Sequence, residues 1–254
     1  MIILYLLLWC LLAETVIFFL QGFFKTHSLI DIFWGLNPIL IGIYFLITSF
    51  SIPLLVLFTA ITFWGLRLSL FLYMTRFRQR HQDSRYIILQ RDRGFYSLNL
   101  LKGLYIQAFL QVLLLVIYIP FLTTTAYASF SLMQLIFLMM FAIFLGFEHL
   151  ADYELLTFKR SKHKGLCHVG LWSLCRHPNL LFECCIWASL SALVFSFTFQ
   201  WYAILPFLCV FITIRYITAP FAEKDMLNRY KDAYIAYQKS TPMINPFKRK
   251  TREN

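Results

Sequence analysis

About seven stretches of the chain stay apolar for the roughly 20 residues that an α-helix needs to cross about 30 Å of hydrocarbon. They are residues 1–24, 29–50, 53–75, 101–122, 130–156, 179–199 and 202–221. In lipid every backbone N–H and C=O must be satisfied without water, which leaves helices or a closed barrel, and continuous apolar runs select helices. The expected fold class is all-α: an integral membrane bundle of about seven transmembrane helices. A composition 60% hydrophobic and only 14% charged excludes an ordinary soluble domain of 254 residues. The first run starts at Met1 with no basic segment before it, Lys25 being the first cation, so it reads as a span and not as a cleaved signal peptide. No repeat and no Pro/Gly linker divides the chain, and 1–254 is expected to form a single membrane domain.

The formal net charge of +11 does not point to nucleic acid, because no polar domain is present to carry a basic patch. It suits membrane lipids and a phosphorylated ligand. The connections at 50–53, 123–129 and 199–202 contain no Lys or Arg, whereas the alternate connections and the tail hold nearly all of them. The positive-inside rule then places the N-terminus outside and the C-terminus in the cytoplasm. The six cysteines sit in apolar runs or in a basic loop, a pattern of reduced thiols and not of a disulfide framework. Cys167, His168, Cys175 and His177 lack the compact spacing of a zinc site, and no metal is expected.

Chemistry concentrates in Gly170–Glu183. Pro178 suits the first turn of a helix, whose free amides can face an anion beside Arg176 and His177. Asn179 and Glu183 follow one turn apart, two polar groups entering an apolar helix on one face. Just upstream, Glu148 and Asp152 share a helix face to which Lys159 returns two turns later. Carboxylates deep and cations shallow (Lys159, Arg160, Lys162) suit a nucleotide, with ribose or base on the acids and phosphate on the bases. Glu14, Asp31, Arg67 and Arg215 also lie in or beside spans, where an unpaired charge costs several kcal/mol. Glu14 is deep enough to face a cavity. Asp31 stands at the start of the second span, and the third connection carries Asp83, Arg85 and Tyr86 in a basic run.

Several of these pieces resemble the steroid 5α-reductase superfamily, in particular its bacterial membrane branch. They are Asp31-x-x-Trp34-Gly35, Arg67, Asp83-x-Arg85-Tyr86, Gln111 with Pro120, Ala151-Asp152, Phe158-Lys159 and Gly170-Leu171-Trp172 leading through Arg176-His177-Pro178-Asn179 to Glu183. Glu223, Tyr234, Tyr237 and Thr241 extend the likeness into the tail. The resemblance implies about seven spans around an NADPH pocket facing the cytoplasm of a bacterial inner membrane, with 1–145 as the substrate side and 146–247 as the cofactor region. It implies reduction of a carbon–carbon double bond conjugated to a carbonyl. Asn179 and Glu183 would then lie beside the nicotinamide, and Asp152, Tyr153 and Lys159 would hold the adenosine part. Tyr237 would close the pocket from the tail, with Arg160, Trp172, Arg176 and His177 as further cofactor contacts.

In that chemistry the protein aligns the cofactor with the β-carbon of an enone, and a Tyr or a neutral carboxylic acid stabilises the developing oxyanion. The catalytic candidates are Glu14, Asp31 and Tyr86. A lipid-like substrate, a steroid, polyprenoid or fatty enone, would enter between spans. The chain departs from the reductases in carrying Glu148 where they have Asn, and Leu156 where they have Arg. Its Arg176-His177 is similar to the related isoprenylcysteine carboxyl methyltransferases. An S-adenosylmethionine-dependent lipid or prenylcysteine methyltransferase is therefore the alternative enzyme, and a non-enzymatic lipid-binding membrane protein the alternative outside catalysis.

Overall fold

A computed structural model of the chain describes residues 1–80, 98–123, 130–161 and 165–245. Among these residues all regular structure is helical: α1 Ile2–Phe24, α2 Ser28–Thr48, α3 Ile52–Leu72, α4 Leu98–Leu115, α5 Pro120–Thr123, α6 Leu132–Arg160, α7 Pro178–Thr198, α8 Leu205–Thr213 and α9 Ala219–Ser240. Single π turns at Tyr73–Phe77 and Ile214–Thr218 extend α3 and join α8 to α9. Seven helical runs are long and apolar enough to cross a membrane, and they coincide with the seven expected spans to within a few residues, except at the last. That run continues from Trp201 to Ser240, 40 residues, about twice the roughly 20 that a crossing needs, and only its first half is apolar. Large side chains such as Leu12, Phe19, Phe63, Ile106, Ile136 and Met139 are exposed, as lipid-facing helices require.

The chain forms two compact units, Met1–Ser131 with Val194–Cys209, and Leu132–Leu193 with Val210–Asn254. The boundary at Ser131 falls just before α6, which is one unbroken helix over Leu132–Arg160.

In the first unit a tight connection joins α1 to α2. Lys25 adopts a left-handed conformation (φ 53°) to end α1, and His27 Nδ1 stands 2.6 Å from Gln21 Oε1. The packing of α2 on α3 is set by two glycines. A Cβ on Gly65 would lie 2.2 Å from the Gly35 carbonyl oxygen, and one on Gly35 would lie 2.6 Å from that of Gly65. Only backbone fits there, so the helices approach as small residues allow in membranes, and Ser69 Oγ donates across the contact to Ile32 O at 2.9 Å. Ile17, Phe18, Ile30 and Leu104 form a buried cluster where α1, α2 and α4 meet. In the 3-10 turn Val116–Tyr118 that follows α4, Tyr118 stacks on Phe45 at 5.4 Å and donates to Pro38 O at 2.9 Å, which fixes this turn on α2.

In the second unit α6 buries few residues, Gln134, Phe141, Glu148, Ala151 and Asp152. Phe182 of α7 stacks on Phe147 at 5.1 Å and on Phe144 at 6.4 Å, which sets the register of α6 against α7. At Lys231 the backbone leaves helical geometry (φ 44°, ψ −120°), so α9 is two pieces, and the second carries Tyr234, Tyr237 and Gln238.

Candidate functional site

The polar end of the second unit is built from three pieces. The first is a 3-10 turn, Gly170–Ser173, seated on α6. Gly170 has φ +57°, a left-handed conformation that favours glycine, and a Cβ there would lie 2.1 Å from Glu154 Oε1 and push that carboxylate from its place. Glu154 Oε2 accepts the Leu171 N–H at 2.9 Å, and Trp172 Nε1 donates to Ala151 O at 2.9 Å. Trp172 is thereby buried, and its own carbonyl accepts from the Tyr237 hydroxyl of α9.

The second piece is a clamp centred on Glu223. Arg176 meets it as a fork, Nε to Oε1 at 2.8 Å and Nη2 to Oε2 at 2.7 Å. His177 Nε2 lies 2.8 Å from Oε1; because a carboxylate only accepts, that nitrogen carries the proton. Tyr234 OH donates to Oε1 at 2.7 Å and Gln238 Nε2 to Oε2 at 2.6 Å. The remaining Arg176 nitrogen donates to the carbonyls of Gln238 and Thr241, and the backbone N–H groups of Arg176 and His177 donate to Pro242 O and Met243 O at 2.9 and 3.1 Å. Burial alone would lower the pKa of Arg176, but the hydrogen bonds and charge of Glu223 outweigh it and hold the guanidinium above its ordinary value. Next to it, burial pushes the Cys175 thiol up to about 11.

The third piece is the head of α7. His177 O accepts the Leu181 N–H at 3.1 Å, and Pro178 occupies the first turn. Asn179 and Glu183 are half-buried on the face that carries Phe182, and Glu148 and Ala151 share the face of α6 that carries Phe144 and Phe147. Glu183 Oε1 accepts from Trp187 Nε1 at 3.0 Å. The Asn179 amide makes no hydrogen bond among the described residues. Asp152 is buried, and Tyr153, Lys159 and Arg160 are exposed toward the end of α6.

The structure therefore sorts the expected cofactor residues into two groups. Arg176, His177, Trp172 and Tyr237 are joined to one another through the tail, and the anion that Arg176 and His177 meet is the chain's own Glu223. Asn179 and Glu183 are half-buried on one face of α7, Asp152 is buried, and Tyr153, Lys159 and Arg160 are exposed along α6. Glu223, Tyr234 and Gln238 were not assigned a role on sequence. Their signal was a buried-type spacing of acid and tyrosine in an otherwise solvated helix. Tyr86, Asp83, Arg85 and Lys162 lie outside the described residues.

In the first unit the two remaining acid candidates have different surroundings. Asp31 is ion-paired with Arg76 near the end of α3. Glu14 is fully buried; its Oε1 accepts from Gln111 Nε2 at 2.7 Å and its Oε2 has no hydrogen-bond partner among the described residues. Gln111 and Asn37, both amides inside apolar runs, carry no formal charge and so escaped a search for ionisable residues. All six cysteines are free thiols, and among the described residues no cluster of His, Cys, Asp and Glu is placed to hold a metal ion.

A protein whose described residues form only helices, seven of them long and apolar enough to cross a membrane, with a polar end tied to its tail, is the class that these features define. The chain belongs to the family described as "Protein of unknown function (DUF1295)", which matches residues 17–241 and is known as steroid 5α-reductase-like. Neither a curated protein nor a solved structure matches it.

Proposed function

We propose that the chain is an NADPH-dependent membrane reductase that saturates a carbon–carbon double bond conjugated to a carbonyl in a lipid-like substrate. The observation that carries this reading is the head of α7. There a half-buried amide that makes no hydrogen bond among the described residues, Asn179, and the carboxylate of Glu183 share one face, while α6 carries Asp152 and the cations Lys159 and Arg160. An amide, carboxylates and cations in that order match nicotinamide, ribose and phosphate. NADPH would supply the hydride that reduces the β-carbon. Asn179 and Glu183 would hold the carboxamide end, Asp152 and Tyr153 the adenosine, and Lys159 and Arg160 phosphate. Arg176, His177, Trp172 and Tyr237 support that surface by fixing the tail against the start of α7. The cofactor end faces the cytoplasm on the charge distribution of the connections.

Glu14 is assigned the acid role, because its Oε2 has no hydrogen-bond partner among the described residues and, when protonated, could donate to an enone oxygen, whereas Asp31 is engaged by Arg76. As the β-carbon takes the hydride, the Glu14 proton would meet the charge that gathers on that oxygen, and a proton from water would add at the α-carbon as the oxygen returns its own to Glu14 and the carbonyl re-forms. The methyltransferase reading drew on Arg176-His177, and the engagement of both by Glu223 removes that support.

The test is isotopic. Membranes containing the protein are supplied with NADPH deuterated at the transferable C4 position, and the lipid fraction is analysed by mass spectrometry. The reading requires deuterium in a lipid carbonyl compound, with less of it formed by the Asn179→Ala variant at an NADPH concentration that half-saturates the wild type. Deuterium found in no lipid, with the protein folded and lipid-embedded, overturns it.

A further inference from the structure

Four polar side chains from three helices of the first unit form a single directed chain. Trp9 Nε1 of α1 donates to Asn37 Oδ1 of α2 at 2.8 Å. Asn37 Nδ2 donates to Gln111 Oε1 of α4, and also lies 3.5 Å from Cys10 Sγ. Gln111 Nε2 donates to Glu14 Oε1 back on α1 at 2.7 Å. Asn37, Gln111 and Glu14 are buried, and the row lies within helices of membrane-crossing length.

The direction is not arbitrary. An indole N–H only donates, so Asn37 must turn its carbonyl oxygen to Trp9 and its NH2 to Gln111. Gln111 must then present its oxygen to Asn37 and its NH2 to Glu14. The last member receives a donor at Oε1 and has Oε2 without a partner among the described residues. An ionised carboxylate in this place would have one amide bond, a bare oxygen and no cation among its hydrogen-bond partners, within hydrocarbon, which costs several kcal/mol. A neutral acid fits the same row: its carbonyl oxygen is Oε1, accepting from Gln111, and its hydroxyl is Oε2, free to donate.

We infer that Trp9, Asn37 and Gln111 are positioning residues that hold Glu14 as a neutral acid with its proton on Oε2, so that the site receives an uncharged acceptor oxygen and not an amine or a metal cation. This rests on the reductase reading only for the use to which the proton is put. The proton's place follows from the row itself. Reversal of either amide would set NH2 against the Trp9 N–H or oxygen against Glu14, so the indole three links away governs the acid's orientation.

Infrared spectroscopy of the full-length protein in lipid nanodiscs tests this without turnover. The difference between the wild type and Glu14→Gln at neutral pH should contain the carbonyl stretch of a protonated carboxylic acid. Gln111→Leu should move that band to higher frequency, because the bond to Oε1 is lost. Trp9→Phe, which keeps the ring's bulk but not its N–H, should broaden or split it as the amides gain a second orientation. Circular dichroism melting of each variant identifies any that fail to fold, and the comparison with Glu14→Gln does not depend on the other two. A carboxylate band in place of the acid band overturns the inference, as does a band that Gln111→Leu leaves unmoved. Either result leaves cofactor binding by the second unit standing, so the two readings fail separately.

Discussion

Two carboxyl groups in neighbouring spans, Glu14 and Asp31, look alike in the sequence, yet their partners give them different chemistry. Arg76 makes Asp31 half of an ion pair, while Glu14 accepts from the amide of Gln111 and its second oxygen has no hydrogen-bond partner among the described residues. Formal charge was legible from residue type, but the partner came from a helix some 45 residues away for Asp31 and 97 for Glu14, which no local spacing encodes. Asn179 is the residue on which the cofactor assignment turns. Its replacement by Ala should weaken NADPH binding about tenfold, roughly the worth of one hydrogen bond to a polar ligand, and leave the melting temperature unchanged; equal affinity would remove Asn179 from the site. Cys175 carries a pH prediction. With its thiol raised to about 11, the thiolate is scarce at neutral pH, and alkylation of the peptide containing Cys175 should still climb about tenfold per pH unit between pH 8 and 10. A rate that levels off near pH 9 would contradict the burial of this thiol.

At the scale of elements, the Glu223 clamp joins α9, the residues that follow it and the start of α7 through one carboxylate. Arg176 and Glu223 form a buried pair, and removal of one partner leaves the other charge uncompensated. Glu223→Gln should therefore lower the stability of the protein by about 3 kcal/mol, read by chemical denaturation, whereas the double change Arg176→Met with Glu223→Leu should recover much of that loss. A single variant as stable as the wild type would show that the clamp does not hold the tail. The sequence made the helices legible because hydrocarbon leaves the backbone few options, and the apolar runs predicted α1, α2, α6 and α7 closely. It also marked Arg176 and His177 as anion-seeking. What it left hidden was that the anion is supplied by the chain itself, since Glu223 lies 47 residues beyond Arg176 and on a helix whose polar composition reads as solvated surface. The glycine contact of α2 with α3 was hidden for the same reason: Gly35 and Gly65 are ordinary residues until the two helices cross at that point.

For the whole molecule, the account requires seven crossings with the Gly170–Glu183 region and the tail on the cytoplasmic side. Single cysteines introduced at Ser51 and at Lys239 in a background free of native cysteines should react with a membrane-impermeant maleimide from opposite sides of right-side-out vesicles, Ser51 from outside and Lys239 only after permeabilisation. The reverse pattern would invert the topology that the charges imply and put the proposed cofactor surface out of reach of cytosolic NADPH. That the chain is helical, with seven helices long and apolar enough to cross a membrane, could be read from hydrophobicity alone; the division into two units could not, because it depends on which helices pack together. The central claim, that the second unit holds NADPH, is tested most directly by titrating the purified, detergent-solubilised protein with NADPH, NADH and S-adenosylmethionine. The account predicts saturable binding of NADPH that is weakened by Asn179→Ala and Glu183→Gln. Saturable binding of S-adenosylmethionine with none of NADPH would contradict it.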